Sequence, residues 1–391
     1  MQYNLQTTLP TNLEITSNKN YKKPASWPDI RKNTENGHIY LLVDDRYPIG
    51  LTATATGGYS VKIDNTAYAD YNSGAQFSMA DWSAYSDTEG YTIDYPAGAS
   101  KAHIIDIYPQ SESENITAFR CSRVAASGNE SQGILWAHFN LTNKANITQC
   151  FCGGTYSNVQ YNNNAMLAIT AKNNTINMTG FDQLVGGNAV VEYMPVFISD
   201  ETARLFIAGT TGKVLEKITI KNFVCTNRFD YAFGNAQSLK QINFVNCQIA
   251  PQNLSNAFTN VYSLPKLPQI DFTNATNMTS FLTNAESLQD TVLDVSAATG
   301  LTRIGCYGSA EHFMAGFKGL RVSNQAPFTG TSSQINVSYT GMDRTALVQL
   351  FNDLPTVSDG QVINITGCTG SPDLTDDDKA IATEKGWSIT D

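Results

Sequence analysis

Histidines are the first residues to consider for acid–base or metal chemistry, because they titrate near neutral pH and ligate most metals. The chain has four, which are His38, His103, His138 and His312. No two of them lie four residues apart, as the HExxH motif of zinc proteases requires. The first three stand in apolar, strand-like runs, where hydrogen-bonded structural histidines are common. The histidines therefore predict no metal site.

Paired carboxylates are the second possibility, since glycosidases cleave sugars between two of them. Asp44, Asp45 and Asp81 are the candidates for such a pair. Adjacent side chains of a strand point to opposite faces, so neighbouring aspartates more often mark a solvated bend. No GxSxG elbow occurs, and Gly209–Lys213 lacks the first glycine of a phosphate loop, because Ile207 stands there. We expect no catalytic residue and no cofactor, with a glycan-degrading enzyme as the third functional hypothesis.

Cysteines give no redox or metal motif. There are seven, which are Cys121, Cys150, Cys152, Cys225, Cys247, Cys306 and Cys368. Their odd number and sparse spacing differ from a disulfide framework. One residue separates Cys150 from Cys152, where zinc knuckles have two or more. Packing as small apolar residues is the expected role.

Composition excludes two classes of partner. The 391 residues carry a net charge of −10, only 15% are charged, and no basic cluster is evident, which disfavours nucleic acid. No apolar run reaches the ~18 residues of a membrane span. The first residues lack the basic and apolar regions of a signal peptide. Read literally, they predict a protein that stays in a cytoplasm or leaves it within an assembled particle.

The distribution of residue types along the chain predicts three segments. Residues 1–36 are polar and proline-containing, and they predict an extended arm. Residues 37–155 contain short strand-like runs, such as His38–Val43 and Tyr59–Ile63, separated by turn residues. This pattern is typical of an all-β sandwich or barrel-like domain. Residues 156–391 predict a repeat domain.

The repeats are visible in three copies of one short pattern. Phe233-Gly-Asn235-Ala-Gln-Ser238-Leu239 returns as Phe258-Thr-Asn260-Val-Tyr-Ser263-Leu264 and as Leu282-Thr-Asn284-Ala-Glu-Ser287-Leu288. The asparagines are 25 and 24 residues apart. An apolar-x-apolar pair follows each copy: Ile242/Phe244, Ile270/Phe272 and Leu293/Val295. A constant period of this length indicates a solenoid.

One of these segments also fits a known repeat signature. Leu239–Ile249 matches every position of L-x-x-L-x-L-x-x-N/C-x-L, with Cys247 in the Asn/Cys position at a bend. The aromatic–Asn–Ser-Leu segment before each strand resembles BspA-like leucine-rich repeats, and this resemblance implies an irregular leucine-rich-repeat solenoid over 156–391. The alternative is an amphipathic strand with an incidental cysteine.

The end of the chain predicts a capping helix. Leu374–Trp387 has Thr375 as a plausible N-cap, three aspartates in the first turn and Gly386 after the last turn. Solenoids need an end of this kind to close their core. The segment, with Ala346–Phe351 before it, resembles the C-termini of tail-associated proteins of phages that infect gut Bacteroidetes.

Recognition is the remaining class of function. In a leucine-rich-repeat solenoid, the residues between the inward apolar positions face outward along one sheet. Here the candidate recognition surface consists of Thr219, Gln241, Asn243, Val245, Asp271, Asp294, Arg321, Asn336 and Asn364. The alternative is that this row is simply the solvated face of the sheet.

Together, these observations favour a non-enzymatic structural or receptor-binding component of a phage particle, located in the tail. The arm and the β-rich domain would bind other virion proteins, and the repeat domain would bind a host-surface glycan or protein. We expect a homo-oligomer. The alternative is a bacterial cell-surface adhesin with BspA-like repeats.

Overall fold

The structure is a computed structural model. It describes residues 27–79, 81–85, 91–93, 100–111, 113–121, 133–147, 154–156, 159–161, 168–178, 195–199, 215–329, 334–358 and 360–391. The chain is mostly β and forms a β-solenoid of about 8 turns from residue 118 onward. Most of the predicted arm lies outside the described residues. In the described part of the chain, no helix is long and apolar enough to cross a membrane.

The chain separates into two compact units that are discontinuous in sequence. The first unit comprises Met1–Ala145, Ala165–Asn177 and Val190–Val196. The second comprises Asn146–Asn164, Met178–Ala189 and Phe197–Asp391. The predicted boundaries at 36/37 and 155/156 stay predictions.

The described strands as far as residue 199 have between two and ten residues. They are β1 (Ile39–Asp44), β2 (Ile49–Thr54), β3 (Tyr59–Ile63), β4 (Thr66–Tyr71), β5 (Gln76–Met79), β6 (Tyr91–Ile93), β7 (Ser100–Pro109), β8 (Ala118–Cys121), β9 (Ile134–Phe139), β10 (Asn146–Ile147), β11 (Gly154–Tyr156), β12 (Val159–Tyr161), β13 (Ala168–Ala171), β14 (Thr175–Met178) and β15 (Val196–Ser199). Two 3-10 helices accompany them, Ile30–Lys32 and Lys172–Asn174.

Two sheets organise the first unit. One has the order β13-β9-β1-β7-β3-β4, with β6 also paired to β7, and the other includes β8-β2-β5. Strands β1 and β9 are buried along their whole length, as their continuous apolar runs predict. Strand β4 is largely exposed at the edge of the larger sheet. The β-rich character of this segment is confirmed, while a sandwich or barrel stays a prediction.

From residue 215 onward, the described part of the second unit consists of parallel strands and two α-helices. The strands are β16 (Lys217–Lys221), β17 (Val224–Cys225), β18 (Gln241–Val245), β19 (Gln248–Ile249), β20 (Asn277–Thr283), β21 (Thr291–Asp294), β22 (Arg303–Tyr307), β23 (Phe317–Arg321), β24 (Ile335–Asn336), β25 (Gln361–Asn364) and β26 (Trp387–Thr390). The helices are α1 (Arg344–Asp353) and α2 (Asp376–Thr383), with a 3-10 helix at Ser371–Asp373.

Parallel pairing shows how the coils of the solenoid stack. Strand β16 pairs with β18 so that Ile218 lies opposite Ile242, and β17 pairs with β19. A five-stranded parallel sheet has the order β20-β22-β24-β25-β26, and β21 pairs with β23. Each coil therefore lies directly on the preceding one. A repeat-type β-solenoid is confirmed.

The asparagine of each predicted repeat ties neighbouring coils together. Asn260 donates from Nδ2 to Asn235 Oδ1 at 2.8 Å, and Asn284 donates in the same way to Asn260 at 2.9 Å. The backbone N–H of Asn260 donates to Thr283 O in the next coil at 2.7 Å. All three asparagines have a positive φ, between 55° and 65°, which asparagine tolerates better than other non-glycine residues. We call this set the asparagine ladder.

Aromatic and leucine side chains of the same repeats form the core beside the ladder. The rings of Phe233 and Phe258 stack with centroids 5.6 Å apart, and Phe281 meets Phe258 edge-on at 5.4 Å. All three phenylalanines are fully buried. The stacking of Phe233 on Phe258 explains why Phe-x-Asn occurs in the first two copies of the pattern, whereas the third copy has Leu282 at that position and packs the preceding Phe281 edge-on.

One coil lacks the strand that the sequence predicts. The pair Ile270/Phe272 lies outside any strand, and the neighbouring strands β18 and β21 belong to different sheets. Pro265 and Pro268 stand in this coil, and proline cannot donate a hydrogen bond to a ladder of strands. The sheet is therefore interrupted between β18 and β21.

The C-terminal helix forms as a shorter element than predicted. Thr375 is its N-cap, and a reciprocal capping box joins Thr375 to Asp378. The helix ends at Thr383, and Gly386, with φ of +89°, makes the turn into β26. Strand β26 pairs in parallel with β25, so a strand is the last described element of the solenoid sheet. The capping role of the helix stays a prediction.

The ladder can be tested by substituting its central member. Asn260→Ala removes two side-chain hydrogen bonds and leaves alanine in a left-handed backbone conformation that its side chain does not stabilise. We therefore expect a loss of about 3 kcal/mol in the free energy of unfolding. Asn260→Gly removes the same hydrogen bonds without the backbone strain and should cost less. Urea unfolding followed by circular dichroism measures both.

Gln269→Ala is the control, because Gln269 is exposed in the proline-containing coil. A variant Asn260→Ala as stable as Gln269→Ala would show that the ladder contributes nothing.

The helix pair supplies a prediction about pH. Arg344 on α1 donates twice to Asp378 on α2, at 2.8 and 2.9 Å, and these hydrogen bonds, with that from Thr375 N, lower the pKa of Asp378 to about 2. A carboxyl whose pKa is lowered by folding stabilises the protein above its unfolded pKa of about 3.9, and this contribution is lost as pH falls towards 2. We expect Asp378→Asn to be destabilised most above pH 5.

The difference in unfolding free energy between the wild type and Asp378→Asn should shrink between pH 5 and pH 2. Asp376→Asn is the control in the same helical turn, where the aspartate is exposed. A difference independent of pH would contradict the assignment.

Candidate recognition surface

Four of the predicted recognition residues lie together on two neighbouring strands. Thr219 on β16 stands opposite Asn243 on β18, and Asn243 Nδ2 donates to Thr219 Oγ1 at 3.2 Å. Gln241 Nε2 donates to Asn243 Oδ1 at 2.9 Å. Val245 ends the strand and is 38% exposed. These side chains form a small polar row whose donors and acceptors are largely engaged with one another.

Four more of the predicted residues form turns instead of a free polar face. The side-chain oxygen of each accepts the backbone N–H two residues later, at 2.9 to 3.0 Å. They are Asp271, Asp294, Asn336 and Asn364. Asn253 and Asn277 make the same turn, with Ser255 and Thr279. The recurring Asx-x-Ser/Thr triplet is therefore a turn of the solenoid, in which the oxygen faces its own backbone.

The hydrogen bonds of these turns have an electrostatic consequence. Donation by the backbone and side chain of Thr273 lowers the pKa of Asp271, and donation by Ser296 lowers the pKa of Asp294. A hydrogen bond to a carboxylate favours its charged form. Both aspartates are thus held ionised at the turns.

Arg321, the last predicted residue, is engaged by a helix. It lies on β23 opposite Asp294, and its guanidinium binds the Asp353 carboxylate of α1. The nine predicted residues occupy three different sheets and one loop, because the proline-containing coil interrupts the first sheet and helices follow β23. The structure does not bring them onto one continuous sheet.

A different group comes together at a corner of the solenoid. Tyr262 stacks on His312 with ring centroids 4.7 Å apart and an interplanar angle of 17°. Glu286, on the coil between them, has Oε2 3.2 Å from His312 Nδ1. Phe313 follows and is 38% exposed. We call Tyr262, Glu286, His312 and Phe313 the aromatic corner.

Three successive coils position this corner. Tyr262 follows Asn260 by two residues, and Glu286 follows Asn284 by two residues. The asparagine ladder therefore sets their positions along the solenoid axis. His312 is fixed by its own loop, where Ser309 N donates to His312 O at 3.2 Å and Ser309 Oγ accepts from His312 N at 3.1 Å.

A glycine closes the loop against the previous coil. A Cβ on Gly316 would lie 1.6 Å from the carbonyl oxygen of Leu288, so only glycine allows this approach. The corner therefore stands on rigid backbone, although its side chains are half-exposed or exposed.

The corner suits binding better than reaction. Stacked aromatic rings offer flat apolar faces, and the Glu286 carboxylate and the imidazole offer polar partners beside them. Sequence reasoning missed these residues because Tyr262 and Glu286 occupy the variable position of the repeat, before Ser-Leu. Their common spacing from the ladder asparagine was the available signal.

The acids considered for catalysis have local partners. Asp44 is fully buried, and its carboxylate accepts from Arg46 Nη2 at 2.5 Å. Asp45 accepts from the backbone N–H of Lys101 at 3.3 Å, and Asp81 accepts from that of Ser83 at 2.9 Å. These contacts shape turns and strand ends.

The described cysteines are thiols in packed surroundings. Cys121, Cys225, Cys306 and Cys368 are buried, and burial raises the pKa of Cys225 to about 12. Cys247 lies in the predicted bend, between β18 and β19, and is half-buried. Burial raises the pKa of its thiol also. Cys150 and Cys152 lie outside the described residues.

Comparison of the chain with protein-family models, with curated proteins and with solved structures finds no match.

Proposed function

We propose that this protein is a non-enzymatic recognition protein whose solenoid is displayed to a ligand at the aromatic corner. The observation that carries the proposal is the stack of Tyr262 on His312, which brings two rings from coils two steps apart into contact at 4.7 Å. The rings are partly open to solvent beside an exposed carboxylate. Side chains on a rigid scaffold bind with little loss of conformational entropy.

A surface glycan is the ligand class that these groups fit. The C–H face of a pyranose packs on an aromatic ring, while sugar hydroxyls donate to a carboxylate and exchange hydrogen bonds with imidazole. Phe313 adds apolar surface beside the stack. A strongly basic or acidic ligand is disfavoured, since the corner holds one acid and one histidine.

The biological setting that we propose is the tail of a phage particle, with the first unit and the N-terminal arm bound to other virion proteins. The low charge, the repeat domain and the resemblance of the C-terminus to tail-associated proteins support this setting. A BspA-like leucine-rich-repeat adhesin on a bacterial surface is the alternative. Both settings use the same corner, so the location of the protein distinguishes them.

Binding to arrayed bacterial surface polysaccharides tests the recognition role. We expect Tyr262→Ala to weaken binding about tenfold, because stacking is lost, and Tyr262→Phe to retain most of the affinity. Tyr68→Ala is the matched control, since Tyr68 is a 39% exposed tyrosine on β4 in the other unit. Equal binding by the wild type and Tyr262→Ala would exclude the corner as the site.

Immunogold labelling of purified particles tests the setting. Labelled tails would support the virion assignment, and labelled bacterial envelopes from cells free of phage would support the adhesin. Absence of label from particles would overturn the first assignment without affecting the polysaccharide result.

A further inference from the structure

Two carboxylates and an imidazole converge on one face of the first unit. His38 Nδ1 lies 2.7 Å from Asp106 Oδ1 and 3.5 Å from Glu35 Oε2. The three ligand atoms all lie within 4.8 Å of one another. Glu35 and His38 precede β1, while Asp106 lies on β7, opposite Tyr40 of β1. Strand pairing therefore assembles the group from distant parts of the sequence.

Burial makes the charges of Asp106 and His38 costly. The Asp106 side chain is only 9% exposed and that of His38 only 13%. Lys62 of β3 lies opposite Asp106 in the strand register and places its Nζ over the ring of Tyr108, at 4.5 Å from the centroid. Among the described residues, the imidazole of His38 is the nitrogen group within salt-bridge distance of both carboxylates. An added cation would compensate the negative charge.

The phenol of Tyr40 adjoins this group of side chains. Tyr40 donates its hydroxyl to Glu35 Oε2 at 3.3 Å. The phenol therefore supplies a hydrogen-bond donor beside the group.

The imidazole is held in the orientation that ligation needs. Its ring stacks on Tyr108 with centroids 4.9 Å apart and an angle of 7°, and on Tyr40 at 5.7 Å. The backbone carbonyl of His38 accepts from Asn140 N at 2.9 Å. These contacts fix Nδ1 towards the two carboxylates before any ion binds.

The donor set selects the class of ion. Imidazole nitrogen with carboxylate oxygen suits zinc and other divalent first-row transition ions, whereas calcium prefers oxygen ligands alone. Zinc with bonds of 2.0–2.2 Å separates tetrahedral ligand atoms by about 3.4 Å. The His38–Glu35 contact of 3.5 Å already has this length. The His38–Asp106 contact would widen by about 0.7 Å on binding.

We propose that Glu35, His38 and Asp106 bind one divalent transition-metal ion, with zinc as the best-fitting probe. Three protein ligands leave a coordination position for water, and the Tyr40 hydroxyl lies 3.3 Å from Glu35 Oε2. This site is independent of the recognition role proposed for the aromatic corner.

Isothermal titration of the tag-free, chelator-treated full chain with zinc chloride tests the proposal. We expect Glu35→Gln to weaken zinc binding at least tenfold, because one anionic ligand is lost. Glu35 is 64% exposed, so this substitution should leave the fold intact. Glu286→Gln is the matched control, since Glu286 also lies beside a histidine Nδ1, at 3.2 Å, but has no third potential ligand among the residues that the structure describes.

Nitrogen-15 NMR of the imidazoles provides a second measurement. We expect zinc to shift the Nδ1 resonance of His38 and to leave that of His312 in place. Equal zinc affinity of the wild type and Glu35→Gln, an unchanged His38 resonance, or no binding at 1 mM zinc would each overturn the proposal.

Discussion

The constraint on which the solenoid depends is the satisfaction of backbone hydrogen bonds from one coil to the next. A coil cannot bury its polar backbone by itself, so each N–H must meet a carbonyl of the coil beside it. At the corner where Asn235, Asn260 and Asn284 lie, the backbone and the side-chain amides both make this connection. The left-handed backbone of these asparagines turns the chain sharply, and the ladder keeps successive turns in register. The spacing of 24 to 25 residues is a consequence of that register.

A solenoid held at its corners tolerates an irregular face. The proline-containing coil between β18 and β21 loses its strand, yet the ladder continues through Asn260 and Asn284 on both sides of it. Helices α1 and α2 enter later coils in the same way, while β25 and β26 keep the parallel sheet. The aromatic corner lies next to the interruption, because Tyr262 comes three residues before Pro265. An irregular coil is thus tolerated while the ladder continues, and the side chains of the aromatic corner lie beside it, half-exposed or exposed.

Several of these features could be predicted from sequence because they depend on local chemistry. The period, the strand β18, the bend at Cys247 and the N-cap at Thr375 all follow from neighbouring residues. The predicted continuous row of recognition residues does not form, because the side-chain oxygens of Asp294, Asn336 and Asn364 accept hydrogen bonds from their own turns. The proximity of Glu35, His38 and Asp106 could not be predicted from the sequence either. They are up to 71 residues apart, and only the register of β1 with β7 brings them together.

The polar composition of the chain now has a structural explanation. Triplets such as Asn364-Ile365-Thr366 match the acceptor motif for N-glycosylation, which suggests a secreted protein when read alone. In the structure the asparagine oxygen accepts the N–H of Thr366 at 3.0 Å, and the same turn recurs at Asn336 and Asn277. Asparagine is also the residue that tolerates the left-handed corners of the ladder. A solenoid of this design therefore requires many asparagines and threonines for its backbone. Their abundance is a property of the fold and carries no information about the compartment in which the protein acts.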